Sequence, residues 1–132
     1  MRPLILVVEG NRALRQALRP WLASLFPQCR VLTARTGAGG IRVARAHGPR
    51  VVVIDVRLPS MSGIEAARRI KTRAPDTDIV MFSFCDADAY RTAASRAGAC
   101  GYVLKQKAAA ELPPLLGRLL GTAAERASRA TA

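Results

Sequence analysis

Five short apolar runs punctuate the chain, and between them the apolar positions change to helical spacing. The runs are Pro3 to Val8, Cys29 to Ala34, Val51 to Asp55, Ile79 to Ser83 and Gly101 to Leu104. Val51-Val-Val-Ile54, apolar and β-branched without polar alternation, reads as a strand buried on both faces, as in the middle of a parallel sheet. After the first run, Leu14, Leu18, Trp21, Leu22 and Leu25 recur at helical spacing, with Asn11 as the N-cap. Pro20 falls inside that helix and is expected to kink it, and Pro27 ends it. Gly37 to His47 predicts a second helix with Ile41 and Ala44 inward, closed by Gly48-Pro49. A third spans Gly63 to Arg73, with Ile64, Ala67 and Ile70 on one face and Pro75 as the stop. Asp86 to Ala97 predicts an Ala-rich fourth helix ending at Gly98. Leu115, Leu116, Leu119 and Leu120 mark the last one. Proline lacks an N–H and restricts the residue before it, so Pro113-Pro114 predicts a short helix starting near Pro113.

Strands and helices that alternate five times across short connections predict an α/β fold with a doubly wound, five-stranded parallel sheet. A dinucleotide-binding variant needs G-x-G-x-x-G after the first strand. Only Gly10 stands there, Gly37-Ala-Gly39-Gly40 follows the second strand at the wrong spacing, and a P-loop is absent. The flavodoxin-like arrangement remains, with the strand that ends at Asp55 in the middle of the sheet. Residues 1–121 are expected to form one domain. Residues 122–132, rich in Ala, Thr, Ser and Arg with no inward face, are expected to be a disordered tail or the start of a linker.

Composition narrows the function classes. No apolar run approaches the roughly 20 residues of a membrane helix. The segment Met1 to Val8 lacks a small-residue cleavage site and runs into Glu9, so it reads as a strand and not a signal peptide. Three cysteines without C-x-x-C or Cys/His spacing point to a reducing cytoplasm. The single histidine, His47, makes a histidine-based metal site or triad an unpromising reading. The net charge is +12, and because Lys71, Lys105 and Lys107 are the only lysines among 21 basic residues, eighteen are arginines. They spread over almost every helix without interleaved aromatics, which favours solvated faces over a nucleic-acid groove.

Four strand ends carry polar side chains: Glu9, Asp55, Ser83 and Lys105. In an open α/β sheet the carboxyl ends of the strands border the ligand crevice. Taken alone, Asp55 is as well explained as a turn cap as by a chemical role. The series Leu-Val-Val-Glu9, Val-Ile-Asp55-Val-Arg-Leu-Pro59-Ser-Met-Ser-Gly63, Met-Phe-Ser83 and Gly101-Tyr102-Val-Leu-Lys105 says more. It resembles the receiver domain of two-component response regulators, over roughly residues 3 to 121.

The resemblance implies a (βα)5 receiver fold with strand order 2-1-3-4-5. It implies Asp55 as phosphoacceptor for a sensor histidine kinase, a phosphotransfer protein or a small phosphodonor. Magnesium would be held, weakly, by Glu9, Asp55 and the backbone carbonyl of Arg57. Lys105 would pair with a phosphoryl oxygen and Ser83 would donate to another. Tyr102 would turn inward as the face of the fourth helix, fifth strand and fifth helix shifts. Such a domain signals in the cytoplasm and is no enzyme beyond self-catalysed phosphotransfer and autodephosphorylation. A homodimer stays an option, a membrane partner is not expected, and nucleic acid would be met through a C-terminal effector of a transcription regulator. A kinase is expected to dock on the first helix, where Arg12, Arg15 and Arg19 invite an acidic surface, and on the loop after the fifth strand.

Two positions depart from the family pattern. Gly10 stands where a second acid is usual, and Gln106 where proline is usual, which predicts a trans Lys105–Gln106 bond. They keep an alternative in view: a degenerate receiver working as a phosphorylation-independent interaction or dimerisation module. Arg57 is read either as a solvated loop arginine or as a guanidinium covering the Asp55 pocket.

Overall fold

The two most apolar runs, β1 (Leu4–Val8) and β3 (Val51–Asp55), are buried along their whole length and pair with each other in parallel. The computed structural model describes residues 2–121. In order, the remaining elements are α1 (Arg12–Leu25), β2 (Arg30–Ala34), α2 (Gly37–His47), α3 (Gly63–Arg73), β4 (Asp78–Ser83), α4 (Asp88–Arg96), β5 (Gly101–Leu104) and α5 (Ala108–Leu119). A 3-10 turn over Lys105–Lys107 joins the last two. The sheet order is β2-β1-β3-β4-β5, all parallel, as expected.

Strand side chains alternate between faces, so the sheet has two cores. On one face Ile5, Val7, Val51, Val53, Val80 and Phe82 meet Leu18 and Leu22 of α1 and Leu112 and Leu116 of α5. On the other, Leu6, Val8, Val52, Ile54, Ile79 and Met81 meet Ala44, Ala66, Ala67, Ile70 and Ala94 of the remaining helices. Each fully buried Leu or Ile contributes about 1.5–3 kcal/mol. The register sets Val8 beside Ile54, Asp55 beside Phe82 and Ser83 beside Leu104. The strands therefore end level, and the residues that follow them share one edge.

Caps explain several boundaries. Asn11 Oδ1 accepts from Leu14 N at 2.9 Å, Thr36 Oγ1 from Gly39 N at 2.9 Å, and Ser62 Oγ from Glu65 N at 3.1 Å. Gly48 closes α2 in the left-handed region at φ 56°, as the Gly-Pro step suggested.

The last helix corrects an expectation. It begins at Ala108, not near Pro113, and carries Pro113 and Pro114 inside it. The prolines remove bonds to the carbonyls of Ala109 and Ala110, but both those residues are exposed, where solvent can supply the missing donors. Burial of Leu112 and Leu116, both at 0% exposure, outweighs the local penalty. Helix α4 is shorter than expected because Ala87 offers no capping side chain, while Asp86 is taken by an ion pair with Arg91. Leu25 is 42% exposed and no core residue. The expected tail at 122–132 lies outside the described residues. No helix among the described residues is long and apolar enough to cross a membrane.

Candidate functional site

Lys105 is where the strand ends converge. Its Nζ lies 2.7 Å from Glu9 Oε1 and 3.2 Å from Asp55 Oδ2, and all three side chains are largely buried. Glu9 Oε2 accepts from Asn11 N at 3.0 Å, so the start of α1 holds one carboxylate oxygen. Glu9 Oε1 sits at ion-pair distance from the ammonium without hydrogen-bond alignment, and it keeps an unfilled acceptor in a buried place. Asp55 Oδ1 accepts from Arg57 N at 3.0 Å, which leaves Oδ2 turned toward Lys105.

The loop after β3 sets Asp55's position. Gly63 N donates to Val56 O at 2.8 Å, and a Cβ on Gly63 would lie 1.7 Å from the Asp55 carbonyl oxygen. Only glycine permits that approach. On β4, Ser83 is buried and its Oγ accepts from Cys85 N at 3.0 Å. Asp55, Arg57, Ser83, Phe84, Cys85 and Lys105 line a cavity of about 330 Å3 at this edge.

Electrostatics follow from the crowding. Burial pushes the Asp55 carboxyl up from 3.8 to about 6, and the neighbouring Glu9 carboxyl adds to the rise. The Arg57 N–H and Lys105 oppose it. An acid whose folded value exceeds its unfolded one holds a proton in the folded state that the unfolded state releases. Its contribution is therefore full below about 3.8 and is lost as pH rises to about 6. Asp55→Asn lacks that titration. In urea unfolding with a metal chelator, it is expected to gain stability relative to the parent between pH 4 and roughly 6.5 and to run parallel above.

The other expected site residues are placed less centrally. Tyr102 does not touch Asp55; its hydroxyl donates to Cys85 O at 2.7 Å, and the Arg91 guanidinium lies 4.6 Å from its ring centroid. Arg91 is held in turn by Asp86 at 2.5 Å. Of the two readings of Arg57, the solvated loop arginine is the nearer: the residue is exposed at the cavity rim, and the Tyr90 hydroxyl, more than Asp55, raises its pKa. The Lys105–Gln106 bond is trans, and Lys105 reaches Asp55 all the same.

Gly10 leaves room. A Cβ there would meet Pro59 Cδ at 3.5 Å and the Arg35 carbonyl at 3.8 Å, ordinary contact distances. Among the described residues no three His, Cys, Asp or Glu side chains gather to hold a metal. Two carboxylates and a carbonyl remain as donors: Glu9, with its unfilled oxygen, Asp55, and the main chain at Arg57. That set suits a magnesium ion, which takes one or two carboxylates and keeps several waters. Sequence reasoning missed Phe84 and Arg91. The signal for Phe84 was slight: an apolar residue one position past the end of a buried strand.

The comparisons with known proteins agree with this geometry. The model of the response regulator receiver domain family matches residues 5–116. The response regulator GacA of Pseudomonas viridiflava is 32% identical over 108 residues, covering 82% of this chain and 50% of that protein. The transcriptional regulatory protein AfsQ1 of Streptomyces coelicolor is 32% identical over 118 residues, covering 89% and 48%. The chain thus spans about half the length of the curated relatives it matches. Among solved structures, a two-component response regulator of the LuxR family from Aurantimonas superposes with a TM-score of 0.82 at 28% identity, covering all of both chains. The Vibrio cholerae chemotaxis protein CheY4, at 23% identity and TM-score 0.82, covers 91% of this chain and all of that one and shares the fold. The strand order, the level strand ends and a family match over most of the chain lead to one assignment: the chain belongs to the response regulator receiver domain family of two-component signal transduction.

Proposed function

We propose that Asp55 accepts a phosphoryl group from a sensor histidine kinase, a phosphotransfer protein or a small acyl phosphate. The modified domain then shifts its α4–β5–α5 face toward an output. One observation carries this reading: the Lys105 ammonium lies between two buried carboxylates, one of which, Asp55, borders an open cavity. In the transfer, a carboxylate oxygen of Asp55 attacks phosphorus. The bond from phosphorus to the donor breaks and its electron pair leaves with the donor: an acyl phosphate departs as its carboxylate, and a phosphohistidine as a neutral imidazole.

This chain's own groups align that step. The Arg57 N–H holds Asp55 Oδ1, so the carboxylate keeps one orientation as it reacts. Lys105 exchanges a carboxylate oxygen for a phosphoryl oxygen. Ser83 Oγ accepts from Cys85 N, which leaves its own proton to donate to a second phosphoryl oxygen. Glu9, Asp55 and the Arg57 carbonyl would hold magnesium, and when bound the ion supplies neutralising charge to the transferring group. Tyr102, anchored on Cys85 O, links the loop after β4 to β5 and so to the signalling face. Residues 1–121 act as the receiver and 122–132 as tail or linker, in the cytoplasm, alone or as a homodimer. The relatives, of which this chain spans about half, include transcriptional regulators, which supports an output through an effector domain.

Intact mass after incubation with acetyl phosphate across a magnesium titration tests the proposal. One added phosphate is expected on the parent and none on Asp55→Ala. Gly10→Asp, which the open space at that position accepts, is expected to lower the magnesium concentration for half-maximal uptake by about tenfold. No uptake by the parent at any magnesium concentration would overturn it, and uptake by Gly10→Asp alone would trace the loss to that position.

A further inference from the structure

We infer that Phe84 shields the Asp55 pocket from solvent, and that its ring sets how long a phosphoryl group survives there. The inference rests on Asp55 as the acceptor. Among the described residues Phe84 is the most exposed large apolar side chain, at 68%. An aromatic ring left in water forgoes the stabilisation of burial, about 1.5–3 kcal/mol for a side chain of this size. The ring's position suggests a use. It lines the cavity with Asp55, Ser83 and Lys105, and its centroid lies 5.1 Å from Lys105 Nζ. The buried ring of Phe82 lies 5.7 Å from the same ammonium. Lys105 is therefore held against two aromatic rings while it pairs with Glu9 and Asp55, and of these two rings only Phe84 reaches solvent.

Loss of the phosphoryl group is hydrolysis. A water oxygen bonds to phosphorus opposite the Asp55 oxygen, the bond from phosphorus to that oxygen breaks, and the electron pair returns to the carboxylate. Inorganic phosphate leaves, and the water's proton passes to solvent. The attacking water must enter from the side away from Asp55, which is the cavity mouth. A ring at the rim takes up space that water would fill and carries no group able to orient or deprotonate it. Arg57, on the rim as well, is occupied by the Tyr90 hydroxyl.

Two readouts on Phe84→Ala and Phe84→Tyr test this, and substitution at an exposed position leaves the fold in place. After phosphorylation with phosphoramidate and removal of the donor, intact mass should show Phe84→Ala losing phosphate at least roughly threefold faster than the parent, with Phe84→Tyr close to it. Separately, acetic anhydride labelling read by peptide mass should acetylate Lys105 faster in Phe84→Ala, with exposed Lys107 as internal reference. Unchanged Lys105 labelling overturns the inference. So does faster labelling with an unchanged phosphate lifetime, because the ring would then cover the lysine without screening the phosphoryl group. If the parent takes up no phosphate, the acceptor proposal fails, and the shield stands or falls on the labelling.

Discussion

Gly63→Ala is expected to destabilise the domain by about 3 kcal/mol and to abolish phosphate uptake at Asp55. Its Cβ would lie 1.7 Å from the Asp55 carbonyl oxygen, 2.7 Å from the carbonyl carbon and 3.0 Å from Val56 Cα. All three are backbone atoms of Asp55, at the end of β3, and of the residue after it, so no side-chain rotation relieves the clash. Either α3 withdraws, and with it the Ser62 cap and the bond from Gly63 N to Val56 O, or the end of β3 moves and Asp55 loses its place beside Lys105. Gly117→Ala is the control. A Cβ at Gly117 meets nothing within 4 Å on an exposed face of α5, and the change is expected to add about 0.5–1 kcal/mol. Urea unfolding and intact mass after acetyl phosphate treatment measure both. Parent-like stability and uptake in Gly63→Ala would refute the close approach.

Lys105→Met is expected to cost about 3 kcal/mol at pH 8, and much less at pH 5. Methionine keeps much of the aliphatic stem, so what disappears is the charge between Glu9 and Asp55. Without the ammonium two buried carboxylates face each other, and a proton becomes their only neutraliser. The Asp55 carboxyl, already raised by burial, is pushed further up. The penalty is then absent where Asp55 is protonated in both states and grows as pH rises through its folded value. Adding Glu9→Gln to Lys105→Met should recover part of the loss at pH 8 by removing one of the like charges. Unfolding at pH 5 and pH 8 decides the matter. An equal loss at both would show that packing of the stem, and not charge, is what Lys105 supplies to stability.

Much of the fold was readable along the chain because its signals are local. The apolar runs placed all five strands to within a residue or two, and Gly or Pro punctuation placed α2 and α3 between their observed ends. The Asn11 cap is a contact between neighbours, set by residue type and spacing. Helix α5 was misjudged for the complementary reason. The proline rules describe the chain alone, whereas Leu112 and Leu116 are held by side chains of β-strands far away in sequence.

The candidate site divides in the same way. That Glu9, Asp55, Ser83 and Lys105 share one edge follows from sequence, because parallel strands of similar length end level in a doubly wound sheet. Which of them touch does not follow. The Lys105 ammonium bridging two carboxylates, Arg57 turning to Tyr90, Tyr102 resting on Cys85 under Arg91, and the exposed ring of Phe84 were decided by tertiary structure alone. Strand pattern is written in each residue's neighbours. A contact between side chains brought in from separate strands and loops depends on register, twist and rotamer together, and those exist only once the sheet has closed on its helices.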